Sequence, residues 1–117
     1  MNQMIDNLNK ELKKSSKISN FYEYLGYLKI ETTSKIKYCD EFLVLYAKPV
    51  NDKILITDLE STFEDAILNG MSIDDIKEAA EKHNLSFDKK SVVALTDIEN
   101  IVDCIENFIK FIDELKL

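Results

Sequence analysis

Hydrophobic residues change their spacing several times along this chain, and each change marks an element. Met1, Ile5, Leu8 and Leu12 recur at three- and four-residue intervals among Asn, Lys and Glu, which predicts an amphipathic helix ended by Ser15 and Ser16. From Tyr24 to Thr32 the pattern alternates. Leu28, Ile30 and Thr32 fall on one side and Tyr27, Lys29 and Glu31 on the other, the signature of a strand with one wet face. Phe42-Leu43-Val44-Leu45-Tyr46-Ala47 is apolar at every position, which predicts a central strand covered on both faces. Pro49, Asn51 and Asp52 supply turn chemistry before Lys53-Ile54-Leu55-Ile56-Thr57, so the sheet reads as a three-stranded antiparallel meander.

After Asp58 the period becomes helical. Leu59, Phe63, Ala66 and Ile67 form a short stripe that Gly70 closes in a left-handed cap. Ser72 with Asp75 opens a second short helix through Ile73, Ile76, Ala79, Ala80 and His83, and Asn84 stops it. Ser91-Val92-Val93-Ala94-Leu95 adds a strand, and Thr96-Asp97-Ile98-Glu99 matches the capping box of a long final helix. There Ile98, Ile101, Ile105, Phe108, Ile112 and Leu115 make a seam that Val102 and Ile109 broaden. So broad a stripe suits a helix lying across a sheet better than a coiled-coil seam, which favours a monomer over a homodimer. The expectation is a single α+β domain over residues 1–117.

Composition narrows the functional classes. At 117 residues, 45% hydrophobic and 32% charged, the chain is of one-domain size and can bury its own core. Its first residues lack the apolar centre of a secretory signal, and no run approaches the ~18 apolar residues of a membrane span, so a cytoplasmic protein is expected. Cys39 and Cys104 form no CxxC pair and are expected to be reduced. Net charge is −7 and unevenly placed. Residues 1–57 hold nine lysines and seven acids (+2), whereas 58–117 hold six lysines and fifteen acids (−9). Arginine is absent, which removes the planar fork that grips guanine edges and phosphates, so direct nucleic-acid binding is not expected.

Catalytic signals are sparse. Gly26 and Gly70 are the only glycines, too few for a phosphate-cradling loop. His83 is the only histidine, and nothing in its context activates Cys39 or Cys104 as a nucleophile; its position near a helix C-terminus is favourable for a partial charge. No cofactor or metal is expected. The strongest enzymatic alternative is a carboxylate Mg²⁺ site from Asp40 and Glu41 before the central strand with Asp58 and Glu60 after the third. The order helix, three strands, helix, strand resembles restriction-endonuclease-like cores, in which Asp40 would supply the first acid. The third strand carries no Glu-x-Lys or Asp-x-Lys triplet.

From Tyr46 to Gly70, the hairpin, the Ile54-Leu55-Ile56-Thr57-Asp58 ending and the following Phe63, Ile67 and Gly70 resemble a family of small prokaryotic and phage domains of unassigned function. In that family a strand ending Leu-Thr-Asp leads into helices. The resemblance runs through residues 20–117 in element order and is specific around 53–70. The family continues with Asp and Gly where this chain has Leu59 and Glu60. Its members occur in mobile elements and beside defence genes, and the resemblance carries over no catalytic residue.

The expected function is therefore a non-enzymatic protein-binding module, a small acidic inhibitor of a nucleic-acid-binding defence enzyme of anti-CRISPR or anti-restriction type. Glu60, Glu64, Asp65, Asp74, Asp75, Glu78, Glu81, Asp103 and Glu106 would stand in for phosphates against a basic protein surface. The alternatives are a metal-dependent or degenerate nuclease-like domain and an antitoxin or regulatory subunit. The opposing reading of the acids is that they only keep the protein soluble.

Overall fold

The computed structural model describes residues 2–36 and 40–115; Met1 and Cys39 lie outside them. Its elements run α1 (Asn2–Leu12), β1 (Ile18–Tyr24), β2 (Tyr27–Ile36), β3 (Glu41–Val50), β4 (Lys53–Thr57), α2 (Ser61–Leu68), α3 (Ile73–Lys82), β5 (Ser86–Asp88), β6 (Ser91–Thr96) and α4 (Ile101–Leu115). The strands form one antiparallel sheet in the order β1-β2-β3-β4-β6-β5. The α+β class and the long C-terminal helix are as the sequence indicates, but the sheet has six strands where the sequence predicts four, β1 and β5 being additional.

Three local features hide the additional strands. β1 and β2 join through Leu25 (φ 50°) and Gly26 (φ 83°), a two-residue turn with both centres left-handed. Leucine at the first of these gives no turn signal, so the alternation from Tyr24 to Thr32 reads as one strand. In β1 the register shifts between Ile18 and Asn20, which breaks the two-residue period. β5 has only three residues.

One face of the sheet carries Ile30, Leu43, Leu45, Ala47, Ile54, Ile56 and Val92, all buried under the helices with Leu8, Leu12, Ile76, Ile105, Phe108 and Phe111. Side chains of this size stabilise by roughly 1.5–3 kcal/mol each when fully buried. Among the described residues no helix covers the opposite face. Phe42 is 56% exposed and Leu95 62% exposed, so the expectation that β3 is covered on both faces is wrong. An apolar run satisfies that pattern whether its second face meets a layer of protein or is left open.

Helix ends follow the sequence closely with two exceptions, the first being Leu59, expected in the stripe of α2 but left-handed and outside that helix, which starts at Ser61. Gly70 and Asn84 sit in left-handed conformations after α2 and α3, where the N–H of Met71 reaches the Ala66 carbonyl and that of Leu85 the Ala80 carbonyl. Ser72 and Asp75 form the reciprocal capping box of α3. The Thr96–Glu99 box does not form. The Thr96 hydroxyl donates to the Asp97 carbonyl, a 3₁₀ turn occupies Ile98–Asn100, and α4 starts at Ile101.

Candidate interaction surfaces

The end of β4 ties the open face of the sheet to the helix layer. Thr57 and Asp58 are buried, and the Asp58 carboxylate accepts the backbone N–H groups of Glu60 (3.1 Å), Thr62 (3.2 Å) and Val92 (3.0 Å). One carboxylate thereby satisfies orphan donors at the start of α2 and fastens that start to β6. Burial pushes this carboxyl above its ordinary value, and the bonds from Thr62, Val92 and Glu60 offset part of the rise.

Next in the chain are Leu59 (φ 51°) and Glu60 (φ 71°), two consecutive left-handed residues without the freedom of glycine. The Thr57 hydroxyl accepts from Leu59 N–H at 3.2 Å, so side chains on both sides hold the turn in place. Leu59, 43% exposed, divides two hollows on the open face. One, about 470 Å³, lies among Tyr27, Leu55, Glu60 and the β5–β6 turn with Asp88, Lys89 and Lys90; the other, about 270 Å³, lies among Lys29, Phe42 and Tyr46 with Glu41, Asp58 and Asp65.

The pairing register collects the tyrosines on this face. Tyr22 is opposite Lys29, Lys29 opposite Tyr46, and Tyr24 opposite Tyr27. The Lys29 ammonium is 5.7 Å from the Tyr22 ring centre and 4.9 Å from that of Tyr24, while Lys48 is 5.2 Å from Tyr27. Tyr27 and Tyr46 meet edge to face at 6.0 Å. Sequence reasoning missed this cluster. The signal was shared parity, since Tyr22 and Tyr24, like Phe42, Val44 and Tyr46, alternate along their strands.

Of the acids of the expected partner site, Glu60 and Asp65 line the two hollows of the open face, and the others belong to α2, α3 and α4. Glu60, Glu64, Asp74, Asp75, Glu78, Glu81 and Asp103 are exposed; Asp65 and Glu106 are half-buried. Among the described residues only Glu106 of these nine is ion-paired, to Lys17 at 3.7 Å. Burial raises the Asp65 carboxyl, and the nearby charges of Glu41 and Glu64 raise it further. The sequence between Lys53 and Lys77 contains no cation. At the α2–α3 corner, inside this acidic stretch, Ile67, Leu68 and Ile73 are 40%, 73% and 52% exposed. Asp103 and Glu106 belong to α4, apart in sequence from that corner.

Of the residues proposed for other chemistries, Glu41 and Asp58 line the smaller hollow with Asp65, whereas Asp40 is held apart from them. Tyr46 pairs with Thr57, which places Asp58 beside Leu45, so Asp40 lies five residues farther along, roughly 17 Å at ~3.4 Å per residue. Asp40 is exposed and paired with Lys35 at 2.7 Å. Among the described residues no group of three or more His, Cys, Asp or Glu side chains is placed to hold a metal ion. Cys104 is buried in α4 with its thiol pushed up to about 11, the opposite of nucleophile activation. His83 caps the end of α3 with Nε2 3.6 Å from the Glu114 carboxylate. No described helix is long and apolar enough to cross a membrane.

No protein-family model, curated protein or solved structure matches the chain. The functional reading therefore rests on the chemistry of its own surfaces.

Proposed function

We propose that this protein is a non-enzymatic, cytoplasmic binding module whose acidic α2–α3 surface docks on a basic protein, as an inhibitor of a nucleic-acid-binding defence enzyme would. One observation carries the reading. Residues 60–81 expose Glu60, Glu64, Asp74, Glu78 and Glu81, without lysine partners among the described residues, together with the apolar Ile67, Leu68 and Ile73. An apolar centre with a charged rim is the usual anatomy of a protein interface, and a purely solubilising surface needs no such centre. The rim would speed encounter with a lysine- and arginine-lined channel, and the centre would slow release.

The test is binding and inhibition across a panel of purified basic nucleases. The charge-reversed variant Glu64→Lys/Asp74→Lys/Glu78→Lys/Glu81→Lys leaves the Asp75 cap intact. Wild type should bind and inhibit at low salt, and both charge reversal and Leu68→Ser should weaken binding at least about tenfold. Equal binding by wild type and the charge-reversed variant would refute the reading.

A further inference from the structure

The open face of the sheet has a different character from the helix side. Four of the five tyrosines of the chain face it, Tyr22, Tyr24, Tyr27 and Tyr46, with Phe42 alongside. Lys29 and Lys48 lie among the rings, and Lys89 and Lys90 line the larger hollow together with Glu60 and Asp88. Among the described residues neither Lys29 nor Lys48 has a carboxylate within ion-pair distance; Glu31 shares the face, where it accepts from the Tyr22 hydroxyl at 3.4 Å. The surplus acids of the chain belong to residues 58–117 and mostly to the helices on the other side of the sheet.

We infer that this face binds single-stranded nucleic acid. Bases would stack on Tyr22, Tyr24 and Tyr46, and Lys29, Lys48 and the Lys89–Lys90 turn would follow the phosphates. Exposed rings interleaved with ammonium groups complement a strand whose bases are free and whose backbone is anionic. Duplex DNA is a poorer fit because its bases are already stacked. The missing arginine weighs against bidentate recognition of guanine edges but not against stacking, which every base offers through its π-face. The two surfaces meet at Glu60, which lines the larger hollow, but the tyrosines and lysines named here are not part of the acidic corner, so their substitution tests this site independently of the inhibitor reading.

The experiment is fluorescence anisotropy with labelled homothymidine and homouridine oligonucleotides, a DNA duplex and a poly-glutamate peptide, at two salt concentrations. Tyrosine fluorescence is recorded in parallel, since the chain has no tryptophan. The expected result is single-strand binding with tyrosine quenching, lost with salt. Tyr22→Ala/Tyr24→Ala should weaken it at least about tenfold, while Tyr22→Phe/Tyr24→Phe retains it because the rings remain. Lys29→Gln/Lys48→Gln should reduce the salt dependence. Circular dichroism melting checks that each variant is folded. No single-strand binding by the folded wild type would overturn the inference. So would poly-glutamate binding as tightly as the oligonucleotides, because the face would then recognise acidic protein, and so would equal affinity of the alanine and phenylalanine variants.

Discussion

Asp58 shows how one side chain can be misread from sequence and still be essential. An aspartate after a strand reads equally as a turn residue or a metal ligand, but its oxygens are engaged by three backbone N–H groups in a buried site. Asp58→Ala should cost about 3 kcal/mol or more, because buried donors lose their acceptor, and urea unfolding would measure it. Beside it, Glu60 holds a left-handed backbone that glycine adopts freely. Glu60→Gly should therefore stabilise the fold by about 0.5–1 kcal/mol, read as a higher denaturation midpoint with unchanged slope. Cys104 gives a pH dependence. Its folded thiol is raised from 9.0 to about 11, so its contribution is complete below pH 9 and lost as pH rises towards 11. In a Cys39→Ser background, the stability advantage over Cys104→Ala should shrink across that interval, and alkylation at neutral pH should require unfolding. Left-handed φ values and burial are set by tertiary packing, so none of these three properties is visible in residue identity alone.

At the scale of elements, legibility followed the strength of the local signal. The stripe of α4, the capping box of α3 and the stops at Gly70 and Asn84 are encoded by residues that act within one turn of helix, and the structure has all of them. β1 escaped because its turn uses Leu25 and its register shifts after Ile18. The Thr96 box failed because Thr96 remains in β6, paired with Ile54, so the sheet ladder outcompeted the cap. For α4, Phe108 is 1% exposed within the core against the sheet, not in a seam between copies. Phe108→Ala should cost about 3–5 kcal/mol and unfold the monomer. Circular dichroism with sedimentation would check it, and a folded chain that merely changed its association state would contradict the packing assigned to α4.

Considered whole, the molecule is a two-layer fold whose sides differ in chemistry. The charge asymmetry between residues 1–57 and 58–117 was legible in the sequence, and it became a spatial separation because the first half supplies four of the six strands and the second half three of the four helices. The open face was not legible. Nothing in an apolar strand says whether a second layer covers it, and only the register shows that the tyrosines and lysines converge. The acidic corner was half legible: its carboxylates are plain in the sequence, whereas the exposure of Ile67, Leu68 and Ile73 amid them required the α2–α3 turn.

The central claim is that these two sides are separate binding surfaces of opposite preference. It is tested most directly by backbone amide NMR titration of the one protein, first with a lysine-rich amphipathic peptide and then with a homothymidine oligonucleotide. The account predicts that the peptide shifts resonances within residues 59–82 and leaves 20–48 unchanged, while the oligonucleotide does the reverse. Shifts from both ligands on the same residues, or scattered evenly over the surface, would contradict it.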